Sequence, residues 1–327
     1  MRIAILSDIH ANRPALEAVL ADSQEWDVEH FWCLGDVVGY GPHPVAPLMF
    51  LKCYVEADGW VMGNHDAMLA DLLLPDDLRH KKPKDILHAV TDKGKGVKVT
   101  ARGRFLTLDD WARTNSEPII PIELNRAALA AHAEAEAFWQ TEFKPERKTP
   151  HLVHRDGIDH ILVHASQSDL LTRYVYAWHH EAYLPTEFTL LKQQSAERNF
   201  PRVQWYGHTH VPTFVRAKSK SGESFEFEPV RVFPGETHPL PAEIALVNPG
   251  SVGQPRDLDQ RAAYAILDTA ERTVTFRRVA YDWRETAHGM LAGGYPESLV
   301  NRLKTAAADE KVTPDDWLDH YREAAKR

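Results

Sequence analysis

Cysteine and uninterrupted apolar sequence are both scarce in this chain. Its 327 residues include two cysteines, Cys33 and Cys53. Both lie in apolar segments without the paired spacing of a zinc or redox site, so they read as reduced core thiols, not a disulfide framework. No apolar run approaches the length needed to span a bilayer. Met1 leads straight into an apolar strand, without the basic region, apolar region and cleavage site of an export signal. The expectation is a soluble, cytoplasmic protein with no membrane partner. A basic excess is missing too: 38 Lys/Arg face 47 Asp/Glu, a net charge of −9, which argues against a general nucleic-acid coat. Internal repeats and a clear linker are lacking, and 43% hydrophobic residues suffice for a packed core. One domain over residues 1–327 is expected, with insertions at about 75–125 and 166–201.

What is present begins with alternating strand and helix patterns. Asn12 and Pro14 mark a helix start, and Leu16, Val19 and Leu20 recur at helical spacing. A helix over about Val45–Val55 and one carrying Ala67–Leu74 complete a β-α-β-α-β-α order. Helices are also expected at Ala127–Gln140 and Thr186–Arg198. Beyond residue 210 the texture turns to strands, and the chain ends in helix after Thr313-Pro314.

Five short blocks carry the chemistry. They are Asp8-Ile-His10, Gly35-Asp36, Gly63-Asn64-His65-Asp66, His164 and Gly207-His208-Thr209-His210. Each follows a short apolar run that reads as a buried strand, so their side chains gather where several strands end. Two divalent ions about 3.5–4 Å apart can share a bridging hydroxide and clamp the entering and leaving oxygens of an in-line displacement. Such a pair needs a bridging carboxylate, for which Asp36 is the natural candidate, with Asp8 and His10 on one side and Asn64 on the other. Extended i, i+2 parity lets Asp8 and His10 reach one ion, and His208 and His210 obey the same parity. Imidazole, carboxylate and amide oxygen without thiolate suit Mn²⁺, Fe, Zn²⁺, Co²⁺ or Ni²⁺; ligand type alone does not choose among them, and Mn²⁺ is placed first.

The ordered set resembles the calcineurin-like metallophosphoesterase superfamily, whose pattern is Asp-x-His, Gly-Asp, Gly-Asn-His-Asp/Glu, His and Gly-His-x-His. The stretches Gly35–Pro42, Asn248–Asp257 and Tyr281-Asp282 resemble its small prokaryotic phosphodiesterase-like branch. The resemblance implies an α/β fold, a four-layer α-β-β-α sandwich with two insertions and a helical C-terminus. It also implies one metal held by Asp8, His10, Asp36 and His210, and another held by Asp36, Asn64, His164 and His208. His65 would stabilise the transferring phosphoryl oxygen or protonate the leaving alkoxide. The implied activity is a two-metal phosphoesterase, with a phosphodiesterase placed ahead of a phosphomonoesterase, including a serine/threonine protein phosphatase. A non-catalytic binding scaffold on the same fold is the rival from another class; scaffolds can lose His65 or ligands, and here all remain.

One departure refines the expectation. Phosphoprotein phosphatases and symmetrical dinucleoside tetraphosphatases of this superfamily carry Asp-Arg where this chain reads Gly39-Tyr40. Without that arginine fork a dianionic monoester is gripped less well, which favours diesters. Arg13 and Arg256 can substitute, although each reads first as a solvated surface arginine. His154, His160, His179 and His180 read as structural or exposed. Tyr174 and Trp178 read first as core of the second insertion, with stacking on a base as the alternative. Between Arg79 and Arg104, nine Lys/Arg stand against Asp85 and Asp92. That run reads first as a solvated loop, and otherwise as a cap steering polyanions, so nucleotides and oligonucleotides are among the candidate phosphate-ester partners.

Overall fold

A computed structural model describes residues 1–72, 98–101, 104–107, 119–179, 182–193, 201–220, 225–308 and 311–327. His180, most of the basic run at Arg79–Arg104 and the expected helix end at Arg198 lie outside the described residues, so none of those readings is addressed by it.

Two six-stranded sheets organise the chain. The first contains β1 (Arg2–Leu6), β2 (His30–Cys33), β3 (Val55–Trp60), β11 (Thr237–Pro239), β13 (Ala262–Asp268) and β14 (Thr273–Val279), in the order β11-β14-β13-β1-β2-β3. The second contains β6 (His151–Arg155), β7 (Ile158–Leu162), β8 (Arg202–Trp205), β9 (Thr213–Ser219), β10 (Phe225–Val230) and β12 (Ile244–Asn248), in the order β10-β9-β12-β8-β7-β6. A separate hairpin pairs β4 (Lys98–Ala101) with β5 (Arg104–Thr107).

Strand alternation builds the layers. In β1, Ile3 and Ile5 enter a core shared with Trp32, Trp205, Phe214 and Val247, which come from both sheets. Ala4 and Leu6 point the other way, against Leu16 and Val19 of α1 (Arg13–Glu25) and Leu48 of α2 (Val45–Tyr54). On the far side of the second sheet, Ile161 and Leu246 pack on Phe188 of a helix over Leu184–Gln193 and on Trp317 of the final helix, Asp315–Ala324. The result is helix, sheet, sheet, helix, the sandwich the resemblance implied.

Parallel pairing decides where the ligands go. β1 runs parallel to β2 and β2 to β3, while β7 runs parallel to β8 and β8 to β12. The carboxyl ends of each set therefore lie along one edge of its sheet. A 3.3 Å approach of His210 Nε2 to Asp8 Oδ1 shows that the two edges meet.

Asn12 caps α1 as expected, its Oδ1 accepting from Ala15 N at 3.3 Å. The same side chain donates to the Gly253 carbonyl and the Tyr281 hydroxyl, and accepts from Thr286, so it ties α1 to the Gly253 turn and to the helix over Trp283–Ala292. Asp282 begins that helix by accepting from Arg284 N.

Three expectations change. The helix at Ala127–Gln140 is two helices, Ile119–Ala130 and Ala133–Glu142, because His132 takes an extended backbone and its ring accepts from Ala135 N to start the second. The helix after Gly63 is shorter than expected, Asn64–Leu69. Cys33 is buried, but Cys53 is exposed. The buried stripe of α2 runs through Pro47, Leu48, Phe50 and Leu51, and Cys53 falls off it. Among the described residues no helix is long and apolar enough to cross a membrane.

Candidate metal centre

Each proposed donor lies just past a strand, all on turns except Asn64, which opens the helix Asn64–Leu69. Asp8 and His10 follow β1, Asp36 follows β2, Asn64 and His65 follow β3, His164 follows β7, and His208 and His210 follow β8. These turns are not extended. Asp8 (φ 53°), His10 (49°), Asp36 (52°), His208 (64°) and His210 (60°) all adopt the left-handed conformation. Strand parity is therefore not what brings Asp8 to His10 or His208 to His210. Coiled turns fold both members of each pair inward.

The donors fall into two groups that share one carboxylate. Asp8, His10, Asp36 and His210 bring one ligand atom each within 4.8 Å of one another, and so do Asp36, His164 and His208. Asp36 Oδ2 lies 3.7 Å from His10 Nε2 and 3.5 Å from His164 Nε2. Its Oδ1 accepts from the His65 backbone N–H at 2.8 Å, which fixes the carboxylate plane. Asn64 Oδ1 is 3.0 Å from His164 Nε2, beside the second group.

Surrounding carbonyls orient the rings. The Nδ1 atoms of His10, His164 and His210 bond the carbonyls of Val38, Leu34 and Gln254 at 3.1, 2.8 and 2.6 Å. A carbonyl only accepts, so Nδ1 carries the proton and Nε2 is turned to the centre as a donor atom, the arrangement common to metal-binding imidazoles. Asp8 is held likewise: its Oδ2 accepts from Ser7 Oγ and His208 N, leaving Oδ1 buried without a hydrogen bond. His208 Nε2 is also buried and unbonded. Unpaired, inward-facing oxygen and nitrogen atoms with no thiolate among them are a donor set suited to a divalent cation.

Charge in the cluster follows from burial and proximity. Burial favours neutral Asp8 and Asp36, yet nearby imidazoles, His210 for Asp8 and His164 for Asp36, hold both carboxyls below their ordinary range. Burial also drives His208 down to about 3, whereas Asp36 and Asp8 outweigh burial at His164 and push it up to about 9. His10 and His210 are lowered, chiefly by burial. Carboxylates and neutral imidazoles are the protonation states that bind metal, so every donor but His164 is ready for it, and an ion at His164 would displace a proton.

His65 stands apart from the donors. Its ring is 4.7 Å from that of His10 and 4.4 Å from that of Tyr40, and its buried Nδ1 has no hydrogen bond. Burial brings its imidazole down to about 4 against the pull of Asp36, so the ring is neutral at pH 7. Gly39 allows this placement: at φ +90°, a Cβ there would stand 2.2 Å from His65 Nδ1.

Several residues that stood in the sequence motifs without an assigned role support the donors. Asp66 accepts from the backbone N–H groups of Val37, Val38 and Gly63, stitching two ligand turns together. Asn248, the first residue of the Asn248–Asp257 stretch, donates to the Gly207 carbonyl and Thr209 Oγ1 and accepts from Gly250 N, locking the His208–His210 turn. Ser251 Oγ donates to the Asp8 carbonyl. Asn248, Ser251, Gly253 and Gln254 of the Asn248–Asp257 stretch thus brace the centre.

The two arginines differ. Arg13 is a surface residue paired with Glu285 at 2.7 Å, as expected. Arg256 is not a solvated surface residue. It is half-buried, its Nη2 lies 3.3 Å from Gln254 Oε1 and 3.5 Å from the Tyr40 hydroxyl, and its backbone N–H donates to the His210 carbonyl. His160 is structural, accepting from the Trp205 indole at 3.0 Å, and His154 pairs with Asp159. Tyr174 is 37% exposed and stacks on His208 with ring centroids 4.3 Å apart, so it is not core; Trp178 packs on Trp317.

Comparison with known proteins agrees with this geometry. Residues 1–272 match the calcineurin-like phosphoesterase superfamily domain. A metallophosphoesterase from Sphaerobacter thermophilus superposes with a TM-score of 0.63 at 28% identity, covering 94% of this chain and 99% of that one. An uncharacterised protein of Methanocaldococcus jannaschii is 27% identical over 92% of this chain and 96% of its own length. The symmetrical bis(5′-nucleosyl)-tetraphosphatase of Klebsiella pneumoniae is 24% identical over 43% of this chain and 46% of its own, so the similarity spans about half of either protein. The chain belongs to the calcineurin-like phosphoesterase superfamily and is a metal-dependent hydrolase of phosphate esters.

Proposed function

We propose that the enzyme hydrolyses phosphodiesters at a centre of two divalent ions, one at Asp8, His10, Asp36 and His210 and the other at Asp36, Asn64, His164 and His208. The observation that carries this reading is the position of Asp36 Oδ2, within 3.7 Å of His10 Nε2 and 3.5 Å of His164 Nε2, between the two donor groups. When bound, the ions would neutralise the non-bridging phosphoryl oxygens and activate water for in-line attack. The protein's part is to hold the donors: three carbonyls fix three imidazoles, and Asp66 and Asn248 fix the turns. His65, neutral and N–H bearing, donates a hydrogen bond to the phosphoryl or departing oxygen. The carboxylate, imidazole and amide donors suit Mn²⁺, which we assign ahead of Fe, Zn²⁺, Co²⁺ or Ni²⁺. Two unpaired cysteines suit the reducing cytoplasm, where we place this single-domain enzyme.

Preference for diesters rests on Gly39-Tyr40. Tyr40 is buried against Ala287, Met290 and Leu299 of the C-terminal helices and Tyr295 of the loop between them, and offers no guanidinium fork to a dianion. Similarity to the tetraphosphatases favours a second reading, with dinucleoside polyphosphates as substrates. Metal analysis of the purified chain, with rates on matched aryl phosphate mono- and diesters and on a dinucleoside tetraphosphate, separates the readings. A higher kcat/KM for the monoester overturns the diesterase assignment.

A further inference from the structure

A cavity of about 530 Å³ opens beside the metal centre, bounded by Thr209 of the His208–His210 turn. Its volume falls in the range of small-molecule sites. Tyr174, Tyr176 and Tyr183 line it, with the guanidinium groups of Arg173 and Arg256. The rings form a file leading away from the centre. Tyr174 stacks on His208 at 4.3 Å, lies parallel to Tyr176 at 6.1 Å, and Tyr176 stacks on Trp178 at 4.5 Å with planes 5° apart. The Arg173 guanidinium lies over the Tyr183 ring at 4.7 Å. Asp169, an acid on the same wall, is occupied locally: its oxygens accept from Thr172 Oγ1 and from the backbone N–H groups of Leu171 and Thr172.

We propose that this cavity is the subsite for the ester's organic group, and that it takes a nucleoside, with Arg256 at the metal end holding phosphate oxygens. The inference rests on the phosphoesterase reading above. An aliphatic chain would gain little from tyrosine hydroxyls and two guanidinium groups. A bare sugar would use the hydroxyls and guanidinium groups but not the aromatic surface of the wall. A nucleobase offers a π-face to tyrosine or guanidinium and polar edges to the hydroxyls. Arg256 is placed for the phosphate because its Nη2 lies 3.5 Å from the hydroxyl of Tyr40, whose ring contacts both His10 and His65 at about 4.5 Å.

Calorimetric titration of the metal-loaded full chain with AMP and, separately, ribose 5-phosphate tests the assignment. AMP should bind at least about tenfold more tightly, in line with the gain from one base stacked on an aromatic ring. Tyr176→Leu should erase that preference and Tyr176→Phe should keep it, while Arg256→Gln should weaken both ligands alike. Equal binding of the two ligands by the parent protein, or an unchanged preference in Tyr176→Leu, overturns the proposal. Metal content and hydrolysis of a simple aryl diester are measured on the same preparations. If these persist while the ligands bind equally, the cavity assignment alone falls. If metal and hydrolysis are absent while AMP is still preferred, the phosphoesterase reading falls and the nucleoside subsite stands.

Discussion

The Nε2 atoms of His10 and His210 face each other at 3.1 Å, and each ring has its Nδ1 proton committed to a backbone carbonyl. Two lone pairs at that separation repel unless a cation lies against both. Metal-stripped protein should therefore gain stability on adding Mn²⁺, by about 2.7 kcal/mol when free ion exceeds Kd a hundredfold. Thermal melts read the gain directly. Asp36→Ala should release most of both metals and abolish hydrolysis, because the imidazoles lose the carboxylate that offsets two ions' charge. Two metals per chain in that variant would remove Asp36 as the bridge.

His65 and Gly39 give a paired test. His65→Ala should keep its metals and lose about 10²–10⁴-fold in turnover, the range of general acid–base catalysis. Gly39→Ala should produce the same phenotype without changing the histidine itself, because the new methyl would stand 2.2 Å from Nδ1 and push the ring from its place. If proton donation dominates, both losses shrink on esters with good leaving groups. Metal loss in His65→Ala would mean that the residue is a ligand.

Asn248 bonds three backbone or hydroxyl groups of its own and the ligand turn. Asn248→Ala strands buried polar atoms, at a cost of about 1–3 kcal/mol for each one left unsatisfied. Metal affinity should fall about 10–100-fold, as is usual when an outer support of a metal site is removed. Competition with a chelator measures it, and unchanged affinity would limit Asn248 to a folding role.

His160 supplies a pH signature away from the metals. Burial pulls its pKa down from 6.5 to about 3, and its Nδ1 accepts the Trp205 indole proton. The unfolded chain takes up a proton below pH 6.5 and the native chain does not. The stabilisation is therefore complete above pH 6.5 and is lost as pH falls toward 3. Between pH 7 and pH 5 this one residue should remove about 2 kcal/mol. His160→Gln retains an acceptor for the indole and cannot titrate, so its urea midpoint should vary less over that interval. An identical acid slope in both proteins would refute the account.

The clustering of the proposed donors was legible because each block follows an apolar run, and a buried polar cluster at a strand end has few structural uses. What lay around them was less legible for definite reasons. Nothing in Asp8-Ile-His10 announces a left-handed turn, since its backbone partners are distant in sequence: the Asp8 carbonyl accepts from Gly253 N and from Ser251 Oγ, 243 residues on, while Asp8 N and His10 N donate to the Gly35 and Asp36 carbonyls. Arg256 reads as a surface residue until the second insertion and the Tyr40 loop are seen to close over it. Cys53 was misassigned because an apolar stretch was treated as buried on every side, whereas a helix buries one stripe. The interruption at His132 depends on a ring nitrogen serving as a cap, a use that composition does not reveal.

Left-handed backbone at Asp8, His10, Asp36, His208 and His210 has a consequence for how this protein can change. Each such position costs about 1–3 kcal/mol unless glycine occupies it. Glycine would relax the turn and delete a donor in the same step. Robustness and metal binding thus compete at the same five codons, and gains in thermal tolerance have to come from the sheets and outer helices. Selection for heat resistance alone, in medium stripped of the metal and with activity unmonitored, would erode the centre first.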